Sequence, residues 1–554
     1  MWCWPGPMDR RLLTASCSLV LCLALAVGAE PCAMRNLPGL PGSRTQLIDI
    51  DRDGRPELAL LDPQGRIRLY RRGHDWQPLE SVLDDAPAQL LLWGDLNGDA
   101  LPDLVALGNP ARCYLQTRRG PWLRHNIDDL GPARPMSGVL HDLDRDGHLD
   151  LAIAYAYVDE KQGYQAHPMQ VLAGRGEGRF EDVTRPWGFE QEGPPGAAGA
   201  ARPLYGLTAC DLDNDGFAEL LGAAYGRQWN TLWKRSPERA RYFEQAAVAG
   251  IDGDEIRHGR YGPAVKRLQE LPFRANGNTF ALVPGDVDND GDQDLFSAEI
   301  THAWAGESSD LSALLVNRFI EQGRLSFERC LEPLEQPDPQ TGLRWRAGRG
   351  LQRDHRPQSV ERWNQGDLQA YWADLNHDTH LDLLICESDY PHNRLRVFLQ
   401  DAQGQFRESQ DALGIDWPNC PGISLGDLDG DGDLDLVATG SRNRWPEARP
   451  AAALGEWLNP GTENRPSLWV RLRYRKGSNG LAIGSRVRLR SDGGQQWRWL
   501  GGPFGHAAQQ LDPGCVHFGL GETRPLELEV TWPGGEVTTH RDLPNTGSLE
   551  LEGP

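Results

Sequence analysis

The sequence predicts an all-β fold, a seven-bladed β-propeller followed by a small C-terminal β-sandwich or barrel domain, on three observations. An acidic nine-residue motif recurs seven times, each copy runs into a short apolar stretch of strand character, and turn formers and aromatics abound, with 63 glycines, 40 prolines and 19 tryptophans among 554 residues. Gly and Pro punctuate strands and interrupt helical periodicity, so this composition favours turn-linked strands over long helices. With 39% hydrophobic and 25% charged residues, the chain has enough apolar material for two or more domains and falls outside the disordered class.

The motif copies are DIDRDGRPE, DLNGDALPD, DLDRDGHLD, DLDNDGFAE, DVDNDGDQD, DLNHDTHLD and DLDGDGDLD, beginning at Asp49, Asp95, Asp142, Asp211, Asp286, Asp374 and Asp427. Oxygen-bearing side chains occupy positions 1, 3, 5 and 9 of each. They are Asp49, Asp51, Asp53 and Glu57; Asp95, Asn97, Asp99 and Asp103; Asp142, Asp144, Asp146 and Asp150; and Asp211, Asp213, Asp215 and Glu219. The last three copies supply Asp286, Asp288, Asp290 and Asp294; Asp374, Asn376, Asp378 and Asp382; and Asp427, Asp429, Asp431 and Asp435. So many like charges in so short a span repel unless a cation sits among them. Alternate residues of a tight loop point oxygens inward, the position 7 carbonyl adds another, and the set suits the hard cation Ca²⁺. Glycine at position 6, present in five copies, relieves a positive-φ turn. In the last copy the fifth aspartate, Asp433 at position 7, is expected to coordinate through its carbonyl with its side chain in solvent.

An EF-hand begins in the same way but needs a bidentate acid at position 12 and flanking helices. Position 12 here is Leu60, Ala106, Ile153, Gly222, Ser297, Ile385 or Ala438, and the segments leaving the loops read as strand: ELALL, DLVAL, DLAIA, ELLGA, DLFSA, DLLIC and DLVAT. Each loop therefore joins two strands. A third and fourth strand come next, ending in several copies on an aromatic and a Gly-hydrophobic pair, as in FEDVTRPWGF from Phe180, FEQAAVAGI from Phe243 and FRESQDALGI from Phe406. Four strands per unit, with units 46 to 88 residues apart, match propeller blades, and seven units close a ring. These in-register copies, over about residues 40 to 460, resemble the FG-GAP/VCBS repeat group, and the resemblance implies calcium-loaded blades like those of the integrin α-subunit propeller.

Up to seven structural Ca²⁺ would offset more than half of the formal charge of -22, so most of the acidity is a ligand inventory, and phosphate-mediated nucleic-acid binding is disfavoured. The loops at Asp95 and Asp374 have Asn at position 3 and Ala100 or Thr379 in place of Gly; their lower ligand charge makes them the weakest expected sites.

Beyond Asn464-Arg465-Pro466 the composition changes to alternating strands and Gly-rich turns, so the propeller is assigned to 30–463 and a second β domain to 464–554. NGLAIGSRVRLR, VHFGLGE and VTWPGGEV resemble the ASPIC/UnbV domain, which in the cartilage acidic protein 1 family follows a propeller of FG-GAP/VCBS repeats. Where that family commonly reads GYLSQ, this chain has GHAAQQ from Gly505. His517 within VHFGLG is read as a packed structural residue.

At the amino terminus Arg10 and Arg11 precede eighteen apolar or small residues ending in Val27-Gly28-Ala29, a pattern that marks residues 1–29 as a secretory signal. No later run approaches this length, so no membrane span is expected after its removal, and the protein is expected outside the cell or in the periplasm. Cys32, Cys113, Cys210, Cys330, Cys386, Cys420 and Cys515 would remain, widely spaced and without a CxxC, which supports neither a zinc site nor a dense disulfide framework.

No nucleophile elbow, HExxH, phosphate loop or dinucleotide fingerprint is present, so no catalytic residue is assigned. The expected function is that of an exported calcium-binding propeller that mediates protein or carbohydrate recognition or adhesion without catalysis. Two alternatives stand beside it: a polysaccharide lyase or hydrolase on a propeller frame, and an assembly factor of a secreted complex. Antiparallel strands send the insertions at 156–167, 247–279, 301–310 and 331–368 to the face opposite the acidic loops, where a partner is expected. One of them is rich in arginine. Its Arg344, Trp345, Arg346, Arg349, Arg353, Arg356 and Trp363 could grip carboxylates, sulfates or acidic glycans, or pair with neighbouring acidic loops.

Overall fold

The computed structural model describes residues 33–554 except 41, 43, 80–82, 84–85, 119, 129, 132–133, 156–157, 159–165, 193–199, 258–276, 303–308, 331–363, 391–392, 442–452, 462–464, 502–503 and 506–510. The expected signal segment and the candidates Arg344, Trp345, Arg346, Arg349, Arg353, Arg356 and Trp363 lie outside the described residues.

Among the described residues helix is confined to two single turns, Ala246–Ala249 and Phe319–Gln322, and the strands form successive four-stranded antiparallel units. Blade 1 consists of Arg44–Ile48, Glu57–Leu61, Ile67–Arg72 and Trp76–Pro78, hydrogen-bonded in that order. Blades 2 to 6 repeat this order from first strands Ala88–Gly94, Pro135–His141, Leu204–Cys210, Thr279–Gly285 and Asn364–Ala373. First strands of successive blades lie side by side around the axis. Second strands such as Glu57–Leu61 and Asp103–Gly108 are buried almost throughout, because both faces pack against neighbouring blades. That explains their unbroken apolar sequence where a one-sided sheet would alternate. Outer strands such as Leu123–Ile127 are largely exposed.

Blade 7 takes Ile423–Gly426, Asp435–Thr439 and Leu454–Trp457 from its own segment and its fourth strand, Arg35–Asn36, from the start of the described chain. Arg35 pairs with Glu456 across this closure, its Nε 2.7 Å from Oε1. Blades 5 and 6 are also joined edge to edge. Asp294–His302 extends beyond its blade to pair Ile300, Thr301 and His302 with Gly366, Gln365 and Asn364. Residues expected as insertion at both Thr301 and 364–368 are therefore strand.

One side chain from each of six blades stitches the ring together. From the end of the third strand or just beyond it, Arg72, Gln116, Arg235, Asn317, Gln400 and Asn459 donate to the backbone carbonyls of Leu428, Ile50, Leu143, Leu212, Val287 and Leu375. Each acceptor is position 2 of the preceding blade's acidic loop. Blade 3 has Gly174 at this place and makes no such bond.

The C-terminal domain is a sandwich. One sheet orders Cys515–Gly519, Ser467–Arg473 and Gly547–Glu552, the last two parallel; the other orders Gly494–Trp499, Arg486–Ser491, Pro525–Thr531 and Val537–His540. Val470, Leu489, Phe518, Val530 and Trp532 fill the space between them. The domain also sends Phe504–Gly505 into the propeller, where it pairs with Gly138–Val139 at the inner edge of blade 3.

The Asn459 amide is buried and spans blades 7 and 6. Asn459→Ala leaves the Leu375 carbonyl without this partner and is expected to lower the unfolding free energy by about 1–3 kcal/mol in urea denaturation. An unchanged midpoint would contradict a stabilising stitch.

Candidate metal-binding loops

The seven acidic loops share one backbone. Positions 4 and 6 have positive φ in every copy: Arg52, Gly98, Arg145, Asn214, Asn289, His377 and Gly430 at position 4, and Gly54, Ala100, Gly147, Gly216, Gly291, Thr379 and Gly432 at position 6. The second left-handed residue was legible as a glycine preference; the first was hidden by its variety of side chains. Two turns of this hand curl the chain so that the position 6 N–H donates to the position 1 carboxylate in all seven loops, at 2.9 Å for Gly54 to Asp49 and 3.1 Å for Gly432 to Asp427. The position 7 N–H likewise reaches the position 5 carboxylate. Position 9, the first residue of the second strand, accepts the N–H of position 2, as Asp435 does from Leu428 at 2.7 Å.

These bonds aim the carboxylates at one another. Oxygens of Asp49, Asp51 and Asp53, of Asp142, Asp144 and Asp146, of Asp211, Asp213 and Asp215, and of Asp286, Asp288 and Asp290 lie mutually within 4.8 Å. Burial and neighbouring carboxylates push Asp142 up to about 7, Asp103 to about 9 and Asp435 to about 8, and hold Asp150, Asp294 and Asp382 well above the ordinary range. Such a set of convergent hard oxygens matches the donor chemistry of Ca²⁺. In the fifth loop Asp292 and Glu321, the latter from the Phe319–Gln322 turn, add carboxylates around Asp290. Glu321 sits outside the nine-residue register, so periodicity did not reveal it.

The loops differ at position 9. In five copies an Asp there also accepts a third-strand N–H: Gln116 to Asp103, Gly174 to Asp150, Asn317 to Asp294, Gln400 to Asp382 and Asn459 to Asp435, at 2.6 to 2.9 Å. In the other two a Glu meets a basic side chain. Lys234 Nζ lies 2.6 Å from Asp213, 2.9 Å from Asp215 and 3.0 Å from Glu219. Arg71 pairs with Asp51 and, at 2.8 Å, with Glu57.

Asp433 corrects an expectation. Its side chain is buried, not in solvent, and faces His377 Nδ1 at 3.4 Å, because the C-terminal domain covers this end of the propeller. Arg471 Nη1 reaches Asp49 at 2.6 Å, the Gly480 N–H reaches Asp95 at 3.1 Å, and Ser478 Oγ lies 2.8 Å from His148 Nδ1. Gln495 donates to the Asn289 carbonyl, His377 Nδ1 lies 2.9 Å from the Arg465 carbonyl, and Trp469 donates to Gly432 at 2.9 Å. Six loops thus meet the domain directly. His517 is buried between His377 and Trp469, ring centroids 5.0 and 4.8 Å away, and burial holds its imidazole well below the ordinary value, in keeping with a packed residue. Cys113, Cys210, Cys386, Cys420 and Cys515 are buried as thiols.

Two family models match the chain. An FG-GAP-like repeat model matches residues 49–106, 142–222 and 374–438, and an ASPIC and UnbV model matches 475–554. The chain is similar to cartilage acidic protein 1 of Xenopus tropicalis, 28% identical over 174 residues, and of Mus musculus, 32% over 175 residues; each match covers 30% of this chain and 25% of the relative. Among solved structures, BBS1N in complex with ARL6DN aligns at TM-score 0.37 and 9% identity over 78% of this chain and 99% of that one. The exotype rhamnogalacturonan lyase YesX aligns at 0.29 and 13% over 78% and 76%.

The loop geometry sets two expected outcomes. Carboxylates whose folded pKa is raised favour the metal-free fold below the unfolded value near 4, and that contribution is lost as pH climbs to the folded values of about 7 to 9. With chelator present, Tm is expected to fall between pH 4 and 9, while saturating Ca²⁺ removes the decline; a flat or rising chelated profile would contradict this. Thr379, a β-branched residue at φ 81, is strained, so Thr379→Gly is expected to stabilise the calcium-loaded protein by about 1 kcal/mol in urea denaturation. A destabilised variant would contradict the strain.

Proposed function

We infer that this chain of FG-GAP-like repeats closed by an ASPIC and UnbV domain is an exported recognition protein, its propeller held by calcium, that binds a protein or carbohydrate partner at the end opposite the acidic loops. The observation that carries this reading is the position of the C-terminal domain. It occupies the loop end, through Arg471, Gly480, Trp469 and the Phe504–Gly505 strand, so partner binding falls to the other end. The described strand ends Cys330 and Asn364, between which the arginine-rich 341–363 falls in the sequence, lie at that other end, Asn364 paired with His302 and Cys330 with Leu314.

The inner strands reach this end through aromatic side chains. Tyr205, Tyr225 and Phe280 cluster with centroids 4.8 to 5.3 Å apart, and Ile300, Tyr390 and Leu368 pack around them. Tyr205 and Tyr225 are half-buried, the exposure at which a ring both holds its place and offers a face and hydroxyl. Export is supported by the basic and apolar start of the sequence, and among the described residues no helix is long and apolar enough to cross a membrane. Calcium here performs no reaction; the loops provide the oxygens, and the ion neutralises and fixes them.

Glycan arrays and capture from native extract, run with the wild type and with Tyr205→Ala/Tyr225→Ala, test the reading. A partner retained by the wild type in calcium and lost by the double variant, at unchanged Tm, is the expected result. Partner binding untouched by the double variant but abolished by changes on the C-terminal sandwich would place recognition on the wrong end.

A further inference from the structure

The loops of blades 1 and 4 combine two features that the other five lack. Position 9 is Glu rather than Asp, and the third-strand residue beside it is basic rather than apolar. The register pairs position 10 with Tyr70, Tyr114, Leu172, Trp233, Leu315, Phe398 and Trp457 in blades 1 to 7. The next residue along each third strand is Arg71, Leu115, Ala173, Lys234, Val316, Leu399 and Leu458. Glu57 and Glu219 therefore coincide with Arg71 and Lys234, and the five aspartates with Leu, Ala or Val.

The geometry gives this coincidence a cause. An Asp at position 9 is held back against the third-strand N–H, while a Glu carries its carboxylate one methylene further, to the basic head. In blade 4 the Lys234 ammonium lies within 3.0 Å of oxygens from positions 3, 5 and 9, three of the expected ligands. A calcium ion would need those same oxygens at roughly 2.3–2.6 Å, so ion and ammonium compete for one place. In blade 1 Arg71 engages positions 3 and 9, while Arg471 of the C-terminal domain engages position 1 at 2.6 Å. The same backbone hydrogen bonds form in these two loops as in the others.

We propose that the loops of blades 1 and 4 carry their own cation, Arg71 with Arg471 and Lys234, and take no calcium, so that the full chain binds five Ca²⁺, at the loops beginning at Asp95, Asp142, Asp286, Asp374 and Asp427. This rests on the calcium reading of the remaining loops. It divides the ring into blades whose inner rim is neutralised permanently and blades whose rim depends on the metal.

Native mass spectrometry of the full chain, with metal analysis of the same sample after equilibration in saturating calcium, tests the proposal. The wild type is expected to hold five ions, Lys234→Met six, and the double variant Arg71→Met/Arg471→Met six. The reciprocal exchange in blade 7, Asp435→Glu with Leu458→Lys, is expected to lower the count to four and to leave that blade protected from proteolysis in chelator. Seven ions on the wild type, or an unchanged count in both folded Lys234→Met and the blade 7 exchange, would overturn the proposal while leaving the calcium reading in place. No bound ion would overturn both.

Discussion

The structure depends on neutralising carboxylates that the ring geometry forces into partial burial. Each blade turns from its first to its second strand near the axis, and the turn is closed by side-chain oxygens that accept its own N–H groups. Those bonds fix the loop but leave negative charge concentrated where solvent cannot screen it, and Asp103 and Asp435 are pushed up to about 9 and 8 in consequence. A cation in each loop would relieve this. Without one, protons or disorder would have to.

The larger organisation derives from that constraint. The position 2 carbonyl of a fixed loop is the acceptor for a side chain from the next blade, so order within a loop becomes order between blades. The C-terminal sandwich then reads the same loops, taking hydrogen bonds from or giving them to Asp49, Asp95, Asn289, His377 and Gly432. Loop chemistry, ring closure and domain docking are one coupled system, which is why a local change of charge at position 9 has consequences beyond its own blade.

Much of this was legible in the amino-acid sequence because it repeats. The seven loops, the strands that leave them and the sandwich stand in the structure, and the resemblance to FG-GAP-like and ASPIC and UnbV sequences stands in the family matches. What periodicity missed lies off the repeat. Arg71 and Lys234 are adjacent to position 9 only once strand register is known, and Glu219 and Lys234 are fifteen residues apart in the chain. Asp433 looked solvated because the loop was read without the domain that covers it, and nothing in GHAAQQ announced that Gly505 pairs with Gly138 inside the propeller. The closure of blade 7 by Arg35–Asn36 was likewise invisible, since a two-residue strand has no pattern of its own.

Cation neutralisation of the loops is tested most sharply by a crystal structure with anomalous diffraction data collected to reveal calcium. Anomalous peaks are expected among the carboxylates of the loops beginning at Asp95, Asp142, Asp286, Asp374 and Asp427, with the Lys234 ammonium and the Arg71 guanidinium in the corresponding places of blades 4 and 1. The absence of a peak from every loop of a calcium-saturated crystal would contradict it, whereas peaks in the loops at Asp49 and Asp211 would contradict only the internal cations assigned to blades 1 and 4.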